Sequence, residues 1–313
     1  MKIGIDMMGG DFAPLEAIKG VKLFTESNQD VHLVLIGDRN QLIPLLDDNQ
    51  IDASLYTIVD ASQVIDMHEH PTKAFKEKQD SSIVKGFHLL ATGKIDAFAS
   101  AGNTGAMMVG SLFSIKAIEG VLRPTIGAYL PRENGKSGWL VDVGINADCK
   151  PENLLQFGIL GSLFVEHVWN IEQPRVALVN IGEEEGKGNI LAQAAYGLLK
   201  NSDKINFVGN IEGRDIIADK ADVVVCEGFT GNVILKLLES VYDISQQRNV
   251  KDEYFDRFNF EQYGGVPVLG ISKTVMIGHG ISKAPAFFNM LKMAKRVNSS
   301  NLLQKIEERF KVQ

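Results

Sequence analysis

The chain has 313 residues, of which 45% are hydrophobic and 23% charged, a composition typical of a globular protein with a substantial core. A formal charge of −7 excludes the basic field that collects nucleic acid. The sequence contains no apolar run of about 18 residues to span a bilayer, and no low-complexity tract that would indicate disorder. This length allows one large α/β unit or two closely packed ones, and we expect a single domain over residues 1–313.

In chain order, short β-branched runs alternate with longer amphipathic stretches. The predicted strands cover residues 3–7, 31–36, 95–100, 125–130, 138–143, 175–181, 205–211, 221–226 and 275–278. The predicted helices cover residues 15–25, 81–92, 153–170, 189–200 and 232–241. Several strands are continuously apolar, as expected where both faces of a sheet are covered. The alternation predicts a doubly wound α/β fold whose sheet is mostly parallel, with helices on both faces.

Residues 242–262 differ from this pattern because they are polar and rich in charged and aromatic side chains. We expect either a helical excursion at a dimer contact or a plain surface connection.

Cysteine and histidine usage limits the chemistry. Cys149 and Cys226 show no C-x-x-C spacing, which argues against a disulfide framework or a zinc knuckle and favours the reducing cytoplasm. The first residues predict a strand rather than a signal peptide, so we expect a cytoplasmic protein. His68 and His70 could face one side of a strand, but Pro71 follows and no further ligand is near. We therefore expect no metal and no cofactor.

Glycine-bearing turns follow the predicted strands, where ligands of open α/β sheets collect. They lie at residues 8–11, 100–105, 144–146, 182–189, 228–232 and 278–280. One such turn is most often a cap, but several along one edge predict a cleft for a phosphate or a developing oxyanion. The nucleotide-binding patterns G-x-x-x-x-G-K-[ST] and G-x-G-x-x-G at the first helix are absent, which argues against ATP and NAD.

Three side chains in or near these turns have alternative interpretations. Lys187 could place a cation beside an anion, or could be a solvated lysine next to three glutamates. His279, between two glycines after a strand, could donate a hydrogen bond or move a proton, or could simply pack. Cys226 follows a buried strand and is expected to act as a small hydrophobe, since no Cys-His signature surrounds it.

The turns also carry long motifs in a recognisable order: IDMMGGDFAP at 5–14, SAGNTGA at 100–106, VDVGIN at 141–146, NIGEEEGKGN at 180–189, EGFTGNV at 227–233, and YGG at 263–265. Over essentially the whole chain they resemble the bacterial phosphate acyltransferase (PlsX) family of phospholipid synthesis. The resemblance implies a fold similar to phosphotransacetylases and isocitrate-type dehydrogenases, and a homodimer. It also implies transfer of a fatty acyl group from acyl carrier protein to inorganic phosphate, giving acyl phosphate for glycerol-3-phosphate acylation.

The place of each residue in these motifs suggests its role. Lys187 and Asn232 are the leading catalytic pair, and His279 is a reserve candidate. The residues expected to bind phosphate or the acyl substrate are Gly9, Gly10, Asp11, Ser100, Gly102, Asn103, Thr104, Gly105, Asn189, Gly231 and His279.

Two departures from the family pattern affect expectations. The segment 242–262 is short and polar where relatives carry an amphipathic hairpin, so we expect weak or no membrane contact. Lys76 stands where arginine is usual, and Lys283 where the pattern is acidic. Alternative functions are a phosphotransacetylase acting on acyl-coenzyme A, a non-catalytic protein that binds an acyl carrier or lipid, and, by fold analogy, a dehydrogenase.

Overall fold

The structure is a computed structural model that describes residues 1–311. These residues form two compact units. Unit 1 comprises residues 1–117 and 260–299, and unit 2 comprises residues 118–259 and 300–311. The expectation of a single domain stays a prediction, and each unit is described by itself.

Unit 1 is built around a six-stranded sheet. Its strands are β1 (Lys2–Asp6), β2 (His32–Gly37), β3 (Tyr56–Asp60), β4 (Ala97–Ser100), β10 (Gly265–Leu269) and β11 (Thr274–Gly278). They lie in the order β3-β2-β1-β4-β11-β10, and all are parallel except β10, which runs antiparallel to β11. Its helices are α1 (Leu15–Ser27), α2 (Arg39–Asp48), α3 (Pro71–Glu77), α4 (Ser82–Ala91), α5 (Thr104–Gly110) and α10 (Ala284–Ser299).

The core of unit 1 forms where α1 and α10 cover the central strands. Ile3 and Ile5 of β1 are fully buried, as the continuously apolar sequence of a central parallel strand predicts. Gly20 allows α1 to pack closely on α10, because a Cβ atom there would lie 2.3 Å from Cβ of Phe287. The two helices then begin at neighbouring turns, and the amide of Ala284 donates to the Glu16 carboxylate.

Unit 2 contains a five-stranded sheet. Its strands are β5 (Thr125–Pro131), β6 (Ser137–Val141), β7 (Arg175–Val179), β8 (Asn206–Ile211) and β9 (Val223–Val225). They lie in the order β5-β6-β9-β7-β8, with β5 antiparallel to β6 and the other pairs parallel. Its helices are α6 (Pro151–Trp169), α7 (Ile190–Lys200), α8 (Gly228–Gln247), α9 (Glu253–Asp256) and α11 (Leu302–Phe310).

An aromatic cluster fills the core of unit 2. Trp139 of β6 is fully buried and lies 4.2 Å, centroid to centroid, from Phe164 of α6. At the amino ends of β9 and β7, Asp222 accepts hydrogen bonds from Arg132 and Arg175. Burial works to raise the pKa of Asp222, but the bonds from Arg175 and Arg132 outweigh it and hold that pKa below its usual value.

The predicted α/β fold class is confirmed. Each of the nine predicted strands and five predicted helices corresponds to an observed element. In residues 242–262, the first six residues continue α8, and the chain then returns through α9. Arg257 anchors this return by donating to the carbonyl of Arg132 at 3.0 Å. In both units the parallel strands end at one edge of the sheet, which is where the glycine-bearing turns lie.

Candidate active site

The three glycine turns of unit 1 interlock. A Cβ atom on Gly9 would lie 2.7 Å from the amide nitrogen of Gly102, so the turns after β1 and β4 can touch only because both lack side chains there. Gly10 has φ +100°, and the next amide, that of Asp11, donates to the carbonyl of Gly280 at 2.8 Å. The turns after β1, β4 and β11 are therefore one continuous structure.

A buried carboxylate holds two of these turns together. Asp6 accepts the Ser100 hydroxyl at 2.7 Å and the Met8 amide at 3.0 Å. Ser100 in turn accepts the Gly102 amide at 2.9 Å, so this amide is used within the protein. Burial is the largest influence on the pKa of Asp6 and raises it above its usual value, against the hydrogen bonds that lower it.

Asn103 caps α5 and anchors the preceding loop. Its side-chain oxygen accepts the Ala106 amide at 2.9 Å, and its side-chain nitrogen donates to the carbonyl of Asp66 at 2.9 Å. The side chain is buried, and both of its polar atoms have partners. Thr104, the next residue, is exposed, whereas Gly105 lies against Pro71. Thr104 is thus the side chain of this turn that solvent can reach.

His279 lies in the turn after β11, and it is half-buried. Its ring centroid is 4.9 Å from that of Phe260. Its carbonyl accepts the hydroxyl of Ser282 at 2.5 Å, which closes the turn that leads into α10. The packing interpretation of His279 therefore has a structural basis, and its role in chemistry stays a prediction.

In unit 2, Asp142 organises the turn after β6. This fully buried aspartate accepts the amides of Gly144 at 2.8 Å and Ile145 at 2.9 Å through one oxygen. Its other oxygen accepts the side-chain amide of Asn146 at 2.5 Å. Burial is again the largest influence and raises the pKa of Asp142.

The beginning of α8 fits tightly against this turn. The amide of Gly228 donates to the carbonyl of Asn146 at 2.8 Å. A Cβ atom on Gly231 would lie only 1.8 Å from the carbonyl oxygen of Asp142, so no other residue fits without movement. Asn232 is exposed beside Gly144, whose own Cβ would lie 3.4 Å from the Asn232 side-chain oxygen. The structure thus brings Gly231 and Asn232 directly onto the turn after β6.

Lys187 lies in the loop that follows β7. Buried Asn180 holds this loop, because its side chain donates to the carbonyl of Lys187 at 3.1 Å and accepts the Ile181 amide at 2.8 Å. Gly188, with φ +95°, packs against the same Asn180 side chain. Asn189 then caps α7 by accepting the Ala192 amide at 2.8 Å.

Two of the three glutamates beside Lys187 are paired with other lysines, and the third, Glu184, packs with the Lys187 stem against Gly182. Glu183 binds Lys220 at 2.7 Å, and Glu185 binds Lys200 at 2.7 Å. Within residues 1–311, the exposed Lys187 ammonium makes no salt bridge shorter than 4.0 Å. Since β7 pairs directly with β9, which leads into α8, Lys187 and Asn232 lie at the same edge of the sheet.

The cysteines lack the features of nucleophiles. Burial raises the pKa of Cys149 to about 11 and that of Cys226 well above its usual value. The Cys226 sulfur lies 3.6 Å from the carbonyl of Asp142, consistent with a packing residue. His68 and His70 are exposed in the loop before α3, and the part of the chain that the structure describes has no cluster of three or more metal-ligating groups. Across residues 1–311, no helix is both long and apolar enough to cross a membrane.

Sequence reasoning missed four residues that shape these turns: Asp6, Asp142, Asn146 and Asn180. Asp6, Asp142 and Asn180 stand at the end of a strand or just after it, whereas Asn146 ends the turn after β6. For the first three, an aspartate or asparagine directly ahead of a glycine-bearing turn was the available signal, because these side chains cap nearby amides.

Comparison with known proteins identifies the family. Residues 1–247 match the profile of a family described as "Fatty acid synthesis protein". The phosphate acyltransferase of Dictyoglomus thermophilum is 43% identical over an alignment of 332 positions, covering 98% of this chain and 97% of that protein. The phosphate acyltransferase of Syntrophomonas wolfei is 41% identical over 309 residues, covering 97% of each. The chain belongs to the phosphate acyltransferase family. It is therefore an acyltransferase, as its motifs predict.

Several solved structures have a fold similar to that of this member of the phosphate acyltransferase family. A branched-chain phosphotransacylase from Enterococcus faecalis has a TM-score of 0.66 at 16% identity and covers 96% of this chain and 99% of its own. A phosphotransacetylase from Streptococcus pyogenes has a TM-score of 0.63, also at 16% identity, with coverage of 95% and 94%. The predicted similarity to phosphotransacetylases is confirmed at the level of the fold.

Proposed function

We propose that this chain transfers a fatty acyl group from the thioester of acyl carrier protein to inorganic phosphate. The products are acyl phosphate and the free carrier thiol. Acceptance of phosphate is supported by the names of the full-length relatives, and the carrier-protein donor by the order of motifs along the chain. We propose phospholipid synthesis as the destination of the product and the cytoplasm as the location.

The proposal rests on the ion pairs around Lys187. Its neighbours Glu183 and Glu185 are each bound to another lysine, which leaves the cation at the sheet edge without an acidic partner closer than 4.0 Å in residues 1–311. A cation in that position can bind a phosphate or stabilise an oxyanion. Asn232 supplies a neutral amide group at the same edge, fixed by the contact of Gly231 with Asp142.

The reaction needs no protein nucleophile. A phosphate oxygen forms a bond to the thioester carbonyl carbon, and the carbonyl oxygen becomes an oxyanion. The carbon–sulfur bond then breaks, and the proton of hydrogen phosphate ends on the carrier sulfur. The protein must orient the two reactants and stabilise the oxyanion, which agrees with cysteines whose pKa values are raised.

In unit 1 we propose that the turns bind substrate through exposed groups. Thr104 and Asp11 are exposed at the sheet edge, whereas the Gly102 amide and the Asn103 side chain are engaged inside the protein. Gly9, Gly10 and Gly105 then act by allowing close approach of the turns. Direct contact of these glycines with phosphate or acyl groups stays a prediction.

A thiol-release assay tests the proposed reaction. Purified protein is incubated with acyl carrier protein thioester, and the free thiol is measured with inorganic phosphate, with sulfate, or with neither. We expect thiol release only with phosphate, because phosphate is the nucleophile. Release at equal rates without phosphate would indicate a hydrolase, and no release would support a binding protein. A kcat/KM that is higher for acyl-coenzyme A than for the carrier thioester would favour the phosphotransacetylase alternative.

We further propose that the protein is a homodimer and that one face of α8 lies in the dimer interface. Four apolar side chains form a stripe along this helix: Phe229, Val233, Leu237 and Ile244, with 67%, 54%, 66% and 55% of their surfaces exposed. Apolar patches of this kind mark interaction surfaces on soluble proteins.

A charge placed in that stripe tests the dimer. We expect Leu237→Glu to convert the dimer to a monomer in sedimentation velocity, because a carboxylate would be buried without a partner. Val208→Glu is the matched control, since Val208 is 45% exposed on β8, away from the stripe in sequence and element. A wild-type protein that sediments as a monomer would contradict the proposal, as would a dimer unaffected by Leu237→Glu.

A further inference from the structure

Each unit buries one aspartate at the carboxyl end of a strand, and neither takes part in the reaction as written above. Asp6 ends β1 and Asp142 follows β6, with 1% and 0% of their surfaces exposed. Burial of a carboxylate is costly unless it is well paired with donors. The hydrogen-bond donors around the two carboxylates belong to the neighbouring turns, which the carboxylates hold together.

Asp142 acts only as an acceptor. One oxygen takes the amides of Gly144 and Ile145, and the other takes the side-chain amide of Asn146. Asn146 is itself fixed by donating to the carbonyl of Pro124 at 2.9 Å. These three neighbours all donate, so the arrangement suits a side chain that offers two acceptor oxygens. The turn after β6 is thus shaped around the Asp142 side chain.

The same residue also fixes the beginning of α8. Its backbone carbonyl is the atom against which Gly231 packs, and its side-chain partner Asn146 accepts the Gly228 amide through its own carbonyl. Asn232 follows Gly231 directly and faces Gly144. The position of Asn232 therefore depends on Asp142 in two ways: through its backbone carbonyl, which contacts Gly231, and through its side chain, which holds Asn146.

Asp6 has the equivalent arrangement in unit 1. It accepts the Met8 amide within its own turn and the Ser100 hydroxyl of the next strand. The Ser100 hydroxyl oxygen in turn accepts the Gly102 amide, which links the two turns. Gly9 closes the contact, because its missing side chain would otherwise meet the Asp6 carboxylate.

We infer that Asp142 is a positioning residue that holds Asn232 in place for acyl transfer, and that Asp6 holds the Gly9 and Gly102 turns in the same manner. The inference rests on the proposed function, since it names residues that support that reaction. Neither aspartate touches the substrate, and each acts through the turn that it anchors.

Burying the carboxylates of Asp6 and Asp142 lowers folding stability at neutral pH, as expected for groups that are retained for function. Burial raises the pKa of both carboxyl groups. The folded protein therefore holds these protons more tightly than the unfolded chain does, and folding free energy is lost as pH rises through the raised native pKa. An asparagine carries no charge and avoids that loss, but its amide nitrogen would face the donors that now bind the carboxylate. Leaving a buried donor without an acceptor lowers stability, so the effect on activity must be compared with that of an equally destabilised variant.

The thiols of Cys149 and Cys226 are ionisable groups that interact with Asp142. The Glu227 carboxyl and the Arg123 guanidinium lie close to Cys149. The thiols remain protonated near neutral pH because burial raises their pKa values. Arg123 donates instead to the carbonyl of Asp148 at 2.8 Å.

The test compares Asp142→Asn with Asp222→Asn. Both aspartates are buried in unit 2, but Asp222 lies at the amino end of β9 and pairs with Arg132 and Arg175. For Asp142→Asn we expect kcat with phosphate to fall about 10- to 100-fold, together with Tm at pH 7.5, because the asparagine amide would face buried donors. For Asp222→Asn we expect a similar loss of Tm with kcat retained, because buried Arg132 keeps only Asp219 as a charged partner. Asp6→Asn should behave like Asp142→Asn.

Each outcome separates the inference from the function. If wild-type protein releases thiol with phosphate and Asp142→Asn has normal kcat, the inference is wrong and the function stands. An equal fall in kcat for Asp222→Asn would show that loss of stability alone lowers activity, and would also overturn the inference. Wild-type protein with no phosphate-dependent release would contradict the proposed function itself, and with it the inference.

Discussion

Lys187→Ala is expected to lower kcat/KM for phosphate about 100- to 1,000-fold, the loss typical when one group that stabilises an oxyanion is removed. The side chain is exposed, so its removal should leave the fold intact, and circular dichroism and Tm should match wild type. The effect follows from charge: Glu183 and Glu185 are bound to Lys220 and Lys200, so the Lys187 cation is available to an anion at the sheet edge.

Lys305→Ala is the matched control for this experiment. Lys305 is a lysine of the same unit whose ammonium binds Glu308 of its own helix, α11, at 2.9 Å, and this pair does not involve the loop of Lys187. Loss of an exposed salt bridge has little effect on stability, and activity should remain within about twofold of wild type. Near-normal activity of Lys187→Ala would remove this residue from the mechanism and return it to the solvated interpretation.

Gly231→Ala should also reduce kcat. The added Cβ atom would lie 1.8 Å from the Asp142 carbonyl oxygen, a backbone atom that cannot rotate away. The beginning of α8 and the turn after β6 must then separate by roughly 1 Å, and a displacement of that size near reacting groups can cost about 100-fold in rate. Overpacking should also lower the free energy of unfolding by about 1–3 kcal/mol in urea titrations.

Gly197→Ala controls for the general effect of a glycine in a helix. Gly197 lies in α7, and a Cβ atom there would meet nothing within 4 Å among the residues that the structure describes. Alanine should therefore stabilise the protein by about 0.5–1 kcal/mol and leave kcat unchanged. Equal behaviour of the two variants would show that the contact between Gly231 and Asp142 is not essential to the site.

The central strands were predictable because burial on both faces leaves a continuous apolar run in the sequence, as in Val223–Val225. The strands that escaped prediction carry a weaker pattern. β3 is a half-exposed edge strand with polar and apolar residues mixed, and β10 contains Gly265 and Pro267, which usually signal turns. α8 begins four residues earlier than predicted because the Glu227 side chain caps it through the Thr230 amide at 2.7 Å.

The candidate site could be predicted in part, through turns whose glycines are visible in the sequence. What remained hidden was the burial of Asp6 and Asp142, since a carboxylate ahead of a glycine turn looks the same whether exposed or enclosed. The partners of Glu183 and Glu185 were equally hidden, because Lys220 and Lys200 are distant in sequence. Both depend on tertiary packing, which local residue patterns do not encode.

The most direct test of the central claim uses inorganic phosphate labelled with oxygen-18 at every position, together with acyl carrier protein thioester. If phosphate is the nucleophile, mass spectrometry of the acyl phosphate will find all the labelled oxygens still attached to phosphorus, one of them bridging to an unlabelled acyl carbonyl. Recovery of free fatty acid with oxygen from water, and no labelled acyl phosphate, would contradict the account.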